Sequence, residues 1–169
     1  MAGEQIRKTP MGGVKAFDCR NCGGQVQLLA PGQSLVAACK HCGAVADLTD
    51  DNFRILSRVG QQLTREPRYE IGAKATLEGK TWVVIGFMSR IVRMYAFEWE
   101  EYLLFNPYYG FRFLAHAYGH WSWIEMIHDG PLAKANAAYV RYQGQDFKQL
   151  TTGEAEVTYV LGEFYWQVR

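Results

Sequence analysis

Cys19, Cys22, Cys39 and Cys42 are the four cysteines of this 169-residue chain, and they stand as C-x2-C, sixteen residues, C-x2-C. That spacing is the pattern of a four-thiolate metal site. Two residues between cysteines let one tight turn aim both sulfurs at a single ion, and a hairpin across the gap brings the second turn opposite to complete a tetrahedron. Gly23 and Gly43 follow the two pairs, and glycine there frees nearby amides to point at thiolates. Four sulfurs leave no coordination position for water or substrate, so the expected cofactor is one structural Zn2+ per chain. A ribbon this short has little core, and metal binding supplies most of its folding free energy. A redox dithiol pair is the rival reading. His41, between Cys39 and Cys42, is a surplus donor expected to face solvent.

Thiols held for metal fit a reducing compartment, and the first fifteen residues lack the apolar stretch of a secretory signal, so a cytoplasmic home is expected. No apolar run reaches the roughly 18 residues of a membrane span; the longest, from Trp82 to Met88, meets Ser89 and Arg90 at once. Lys and Arg number 18 against 17 Asp and Glu, so no global field draws a polyanion to the chain. Hydrophobic residues at 49% are enough to build a core from about one ordinary domain, or from a small metal module and a larger unit.

Residues 1–16 read as a flexible tail and 17–49 as the zinc ribbon, with Gln25-Val26-Gln27-Leu28 and Leu35-Val36-Ala37-Ala38 forming a hairpin about Pro31-Gly32. Residues 50–68 read as a short helix and linker, because Phe53, Leu56, Val59 and Leu63 recur at spacings of three and four behind an Asp-Asp cap. From Tyr69 the period becomes two. Short strands follow at 73–77, 82–85, 97–105, from Phe111 and Phe113 onward, and at 120–127, 138–142, 147–150, 156–161 and 164–168, separated by Glu78-Gly79-Lys80, Asn106-Pro107-Tyr108-Tyr109-Gly110 and other turns. A helix over 97–105 is the alternative to a strand there. The expected fold is mainly β: a zinc ribbon, a short helix, then an antiparallel β-barrel or sandwich, SH3-like or related, over 69–169. Thr81-Trp82-Val83-Val84-Ile85-Gly86-Phe87 faintly echoes Val157-Thr158-Tyr159-Val160-Leu161-Gly162-Glu163-Phe164, too weakly for a repeat.

No phosphate loop, nucleophile elbow or nucleotide fingerprint is present. His116, His120 and His128, with Glu125 and Asp129, invite a metal reading, but on a strand His116 and His120 stand about 13 Å apart unless a turn at Gly119 folds them back. They read as surface or packing residues. Glu98 and Glu100 read as a solvated strand face. Trp82, Trp99, Trp121, Trp123 and Trp166 read mainly as core, although Trp121 and Trp123 share a face and Tyr108 and Tyr109 sit at a turn tip.

Gly72-Ala73-Lys74-Ala75-Thr76-Leu77-Glu78-Gly79-Lys80-Thr81-Trp82, Trp99-Glu100-Glu101-Tyr102-Leu103-Leu104-Phe105-Asn106-Pro107, Gly110-Phe111-Arg112, Gly119-His120-Trp121 and Val160-Leu161-Gly162-Glu163-Phe164-Tyr165-Trp166 follow one another in an ordered set. Over 69–169 this set resembles the bacterial domain of unknown function 4178. The resemblance implies a preceding zinc ribbon, association with envelope-stress and polyamine-related gene clusters, and no established activity to carry onto these residues. Longer members carry the domain more than once, which agrees with an aromatic strand running straight to Arg169 and suggests a chain cut from something longer.

The expectation drawn from these features is a non-enzymatic interaction or adaptor module that meets a protein partner through Tyr108, Tyr109, His120, Trp121 and Trp123. Nucleic-acid binding through Lys15, Arg20, Lys40, Arg54 and Arg58 is the second reading, weakened by the −2 charge of a zinc tetrathiolate. An enzyme using Glu101, His120 or Glu163 is the third, and it requires those side chains to converge.

Overall fold

A computed structural model describes residues 15–59, 66–127, 138–149 and 153–168. Residues 1–14 of the tail expected over 1–16, with Leu63, His128, Asp129 and Leu150, lie outside the described residues, while Ala16 opens a strand. Thirteen strands run in chain order: β1 (Ala16–Asp18), β2 (Gln25–Gln27), β3 (Val36–Ala38), β4 (Ala44–Asp47), β5 (Ile55–Arg58), β6 (Lys74–Leu77), β7 (Lys80–Val92), β8 (Phe97–Asn106), β9 (Gly110–Ala117), β10 (His120–Ile124), β11 (Tyr139–Tyr142), β12 (Gln145–Lys148) and β13 (Glu156–Phe164). One 3₁₀ turn, Arg93–Tyr95, links β7 to β8. Residues 97–106 are a strand rather than a helix.

Nine strands share one antiparallel sheet in the order β10-β9-β8-β7-β13-β3-β4-β5, with β6 on β7 beside β13. β1 pairs with β2, and β11 with β12, as separate ribbons. The fold is mainly β and antiparallel, with the sheet open rather than closed into a barrel. Its apolar residues divide between two faces. On one face Ile85, Met88, Leu103, Val160 and Phe164 pack with Val36, Ala38 and Val45 from the cysteine-bearing strands. Phe111 stacks on Tyr165 with ring centroids 4.5 Å apart, and Phe113 meets Trp166 at 5.4 Å. Those residues follow β13, three strands away in the sheet, so the sheet curls round this cluster. The opposite face buries Trp82, Val84, Phe87, Tyr102, Leu104 and Tyr159.

Three local expectations are corrected. The helix over 50–63 is replaced, in its described part, by turns and strand β5. Asp50 binds the Asn52 amide through its side chain at 2.9 Å and the Phe53 amide through its carbonyl at 2.8 Å, and Phe53 sits at φ 49°. Asp side chains that bond nearby amides compete with helix formation. Ile55 and Leu56 then face opposite clusters, as a strand requires, so the helical spacing was coincidental. Second, β2 does not pair with β3. A turn does form from Ala30 to Gln33, with its amide bond at 3.0 Å, but its flanks enter different sheets. Third, 156–161 and 164–168 are not two strands split by Gly162: β13 runs through to Phe164.

Gly162 and Gly86 explain that continuity. They are register partners between β13 and β7, so the two echoed segments are antiparallel neighbours. A Cβ on Gly162 would lie 2.2 Å from the Ile85 carbonyl oxygen, at φ +81°, and one on Gly86 would lie 2.4 Å from the Glu163 carbonyl oxygen. Backbones this close exclude any side chain. Gly162→Ala is expected to cost about 2–4 kcal/mol, from overpacking plus the left-handed backbone, and to lower the urea midpoint at unchanged m. Gly79→Ala, where a Cβ meets open space, is expected to cost about 1 kcal/mol in the same titration.

Candidate functional site

Each cysteine pair closes its own hairpin, Cys19 and Cys22 between β1 and β2, Cys39 and Cys42 between β3 and β4. The two turns repeat one hydrogen-bond pattern. Gly23 N–H donates to the Cys19 carbonyl at 2.7 Å and Cys19 N–H to Gly24 at 2.9 Å; Gly43 N–H donates to Cys39 and Cys39 N–H to Ala44, both at 2.9 Å. The Cys19 and Cys42 sulfurs are 3.7 Å apart, as are those of Cys22 and Cys39, and all four lie within 4.8 Å of one another. Disulfide sulfurs would touch at about 2.05 Å. An ion holding four sulfurs at about 2.3 Å sets tetrahedral edges of about 3.8 Å, so the observed spacing fits one metal ion.

Cys19 and Cys39 are buried while Cys22 is exposed, so the cluster opens on one side only. Burial pushes the Cys39 thiol up to about 12, against the His41 and Cys42 amides. Burial also opposes ionisation of Cys42, but the Asn21 side chain, the Ala44 amide and the thiols of Cys22 and Cys19 bring it down to about 6. His41 is exposed, as expected, and its ring lies against Gly24, where a Cβ would meet Cδ2 at 2.5 Å. The two cysteine turns therefore interlock through His41 and Gly24. Among the described residues no other group of three or more His, Cys, Asp and Glu gathers as closely.

Glu163, named with Glu101 and His120 as a possible catalytic trio, ties the cysteine module to the sheet. It is 1% exposed on β13 and accepts from the Leu29 amide, while the Ala30 amide donates to its Oε2 at 3.2 Å. Burial raises its pKa, with the Leu29 and Ala30 amides pulling the other way. Glu101 instead bonds Trp99 Nε1 at 2.6 Å and lies 3.7 Å from Arg90, and His120 is exposed on β10. Their partners differ, and none of the three lines the cleft formed where β7, β8, β9 and β13 meet.

The proposed contact set is divided by the strand register. A turn at Tyr118-Gly119, both at positive φ, folds β10 onto β9 and sets Trp121 opposite His116. Trp121 and Trp123 share one face. Trp121 meets Tyr69 at 5.7 Å and Tyr102 at 6.0 Å; Trp123 meets Trp82 at 5.3 Å, and Tyr109 meets Trp82 at 6.5 Å. Cations lie over this row: Lys80 is 4.0 Å from the Tyr109 ring, Arg112 is 5.6 Å from Trp82 and Arg68 is 5.9 Å from Trp121. Tyr108 is 89% exposed at its turn. His120, one residue from Trp121, points from the other face of β10.

Of the basic residues near the cysteines, three are engaged. Arg20 donates to the Asn52 carbonyl at 3.0 Å, Arg58 to the Cys42 carbonyl at 3.1 Å, and Arg54 lies between Asp47 and Asp50. Glu100 is not on a solvated face, contrary to expectation: its side chain is 14% exposed and faces the buried His116, with Nδ1 at 3.3 Å from Oε2. The Asn106-to-Gly110 turn carries this information, since counting back from it sets Glu100 opposite His116.

Fold and site define a mainly β protein with a four-thiol centre built into the edge region of its main sheet. The family model described as Domain of unknown function (DUF4178) matches residues 70–169, and the chain belongs to that family. No curated protein and no solved structure matches the chain. Among the described residues no helix is long and apolar enough to cross a membrane.

Because the folded Glu163 carboxyl binds its proton more tightly than an unfolded one, its contribution to stability is complete below the unfolded pKa near 4.5 and declines as pH rises through the folded value. Glu163→Gln is expected to flatten that decline, whose slope is at most about 1.4 kcal/mol per pH unit, in urea titrations run from pH 4 upward.

Proposed function

We propose that the chain is a zinc-stapled, non-enzymatic interaction module that receives an acidic, extended protein segment on its aromatic face. The observation that carries this reading is the row Tyr69, Trp121, Trp82, Trp123 and Tyr109 with Lys80 and Arg68 against its rings. Tyr69, Tyr109 and Trp121 are 45%, 49% and 38% exposed, while Trp82 beneath Tyr109 and Tyr102 beneath Tyr69 and Trp121 are buried. Large rings anchored on a buried ring lose little entropy on contact, which is the character of binding hot spots. Lys80 and Arg68 carry no acidic partner among the described residues, so an incoming carboxylate finds unpaired cations. Strand β10 is also the sheet edge, where a peptide can add by main-chain pairing.

Four thiols fit Zn2+ as the ion, through Cys19, Cys22, Cys39 and Cys42, and that ion would hold the two hairpins together without reacting. Four thiols held for a metal fit a reducing compartment, which supports the cytoplasmic home expected from the sequence.

Displayed libraries of random peptides, panned on zinc-loaded protein, test the docking. Acidic sequences are expected to be enriched and to bind roughly thirtyfold or more weaker to Trp121→Ala and to Tyr109→Ala. No enrichment, or enrichment indifferent to both variants, contradicts the reading. Short single-stranded oligonucleotides bound on the same face with a steep salt dependence would replace it with nucleic-acid binding. Elemental analysis of the purified chain is expected to give one zinc per chain, lost in Cys39→Ser.

A further inference from the structure

A cleft of about 780 Å³ opens beside the end of the aromatic row where β7, β8, β9 and β13 meet. Three of the charged groups on its walls are paired: Arg93 with Glu156 at 2.7 Å, and Arg90 at 3.7 Å from Glu101. Glu98 is exposed without an ion pair among the described residues, and two further groups, of opposite sign, are incompletely satisfied. Glu100 Oε2 is buried without a hydrogen-bond donor, because His116 Nδ1, although 3.3 Å away, is not in bonding geometry. The Arg68 guanidinium faces no carboxylate among the described residues; its backbone amide is fixed to Tyr102 Oη at 2.9 Å and its charge rests on Trp121. Both groups line the cleft, Glu100 in the wall beside His116 and Arg68 exposed at the rim.

A buried carboxylate oxygen without a donor carries a full desolvation cost, and such exceptions mark places where something else supplies the bond. His116 is itself held, 7% exposed, with its ring centroid 4.4 Å from that of Trp121. It cannot swing freely to complete the pair. We propose that this cleft binds a small zwitterion, a free amino acid or short peptide, with its ammonium on Glu100 and its carboxylate on Arg68. An ammonium brings three donors to the Glu100 carboxylate, which accepts no hydrogen bond among the described residues, and a carboxylate matches the fork of the guanidinium. The volume lies in the range of small-molecule sites and leaves room for a side chain beyond the two charged groups. The site shares Arg68 with the peptide-docking face and His116 lies against Trp121, but its dependence on Glu100 and on a free ammonium is its own and is not required by that reading.

Isothermal titration of the zinc-loaded full chain with the free L-amino acids and with Gly-X dipeptides tests it. At least one compound is expected to bind one site with a Kd of about 1 μM to 1 mM. Its N-acetyl and C-amide derivatives are each expected to bind roughly tenfold or more weaker. Glu100→Gln is expected to lose the same factor and to become insensitive to N-acetylation, and Arg68→Ala to become insensitive to C-amidation. The source separates by whether free amino acids or only dipeptides bind. The proposal is overturned if nothing in the panel binds at about 10 mM, a concentration that would half-fill even a very weak site, or if capped and free forms bind alike to the wild-type chain. That comparison needs no variant to fold.

Discussion

Strand β13 pairs with β7 along one edge and with β3 along the other, and the rest of the molecule depends on that double pairing. The β7 edge requires Gly86 opposite Gly162, because either Cβ would enter the facing carbonyl oxygen. The β3 edge joins Val36, Ala37 and Ala38 to Phe164, Glu163 and Gly162, and it ends with the Leu35 amide on the Phe164 carbonyl at 2.8 Å. Cys39 follows β3 directly, so the second cysteine turn is an extension of the sheet. Glu163 then holds the first half of the cysteine module through the Leu29 and Ala30 amides. The thiol cluster and the larger domain therefore share one sheet and one apolar cluster, in which Ala30, Val36 and Val45 meet Leu103 and Phe164.

The sequence made the chemistry of the cysteines legible because ligand spacing is a local property. Strands also emerged where alternation was clean, as in β6, β8 and β9. The helix expected over 50–63 failed because Phe53, Leu56 and Val59 serve two faces of a strand-turn segment at spacings that imitate a helix. The pairing of β3 with β13, more than a hundred residues apart, had no local signature at all. Its one trace was the echo around Gly86 and Gly162, whose meaning as a close crossing needs the register. Glu100 was misread for a similar reason. Alternation assigns it a face, but only the fold decides that this face is covered by His116 and Tyr69's neighbours rather than by water.

In the strand order Cys39 and Cys42 lie toward one end, between β3 and β4, and the aromatic row toward the other, with Trp121 and Trp123 on β10, Tyr109 between β8 and β9 and Trp82 on β7. The two cysteine hairpins bury a cluster of their own, with Phe17, Val26, Leu28, Ala37, Ala44, Ala46 and Leu48 around Cys19 and Cys39, so the expectation of little core there is corrected, and in the proposed reading a bound ion would add to that packing. The aromatic row, to which the proposed reading gives recognition, is built on buried rings: Trp82 supports Trp123 and Tyr109, and Tyr102 supports Tyr69 and Trp121. Burial raises the Tyr102 pKa, with the nearby Glu100 charge acting in the same direction and the Arg68 amide opposing, so its hydroxyl stays protonated as a fixed part of the scaffold. β7 and β13 lie between the two ends, and they are the strands whose separation the paired glycines set.

The central claim is that the thiol centre and the sheet fold as one unit through β3 and β13. Backbone hydrogen exchange on the reduced chain, with metal bound and after chelation, measures it directly. If they are one unit, removing metal accelerates exchange in residues 160–164 of β13 as well as in 36–47 around the second cysteine turn. Loss of protection confined to residues 16–47, with β13 unchanged, would show that the cysteine module unfolds alone and would contradict the account.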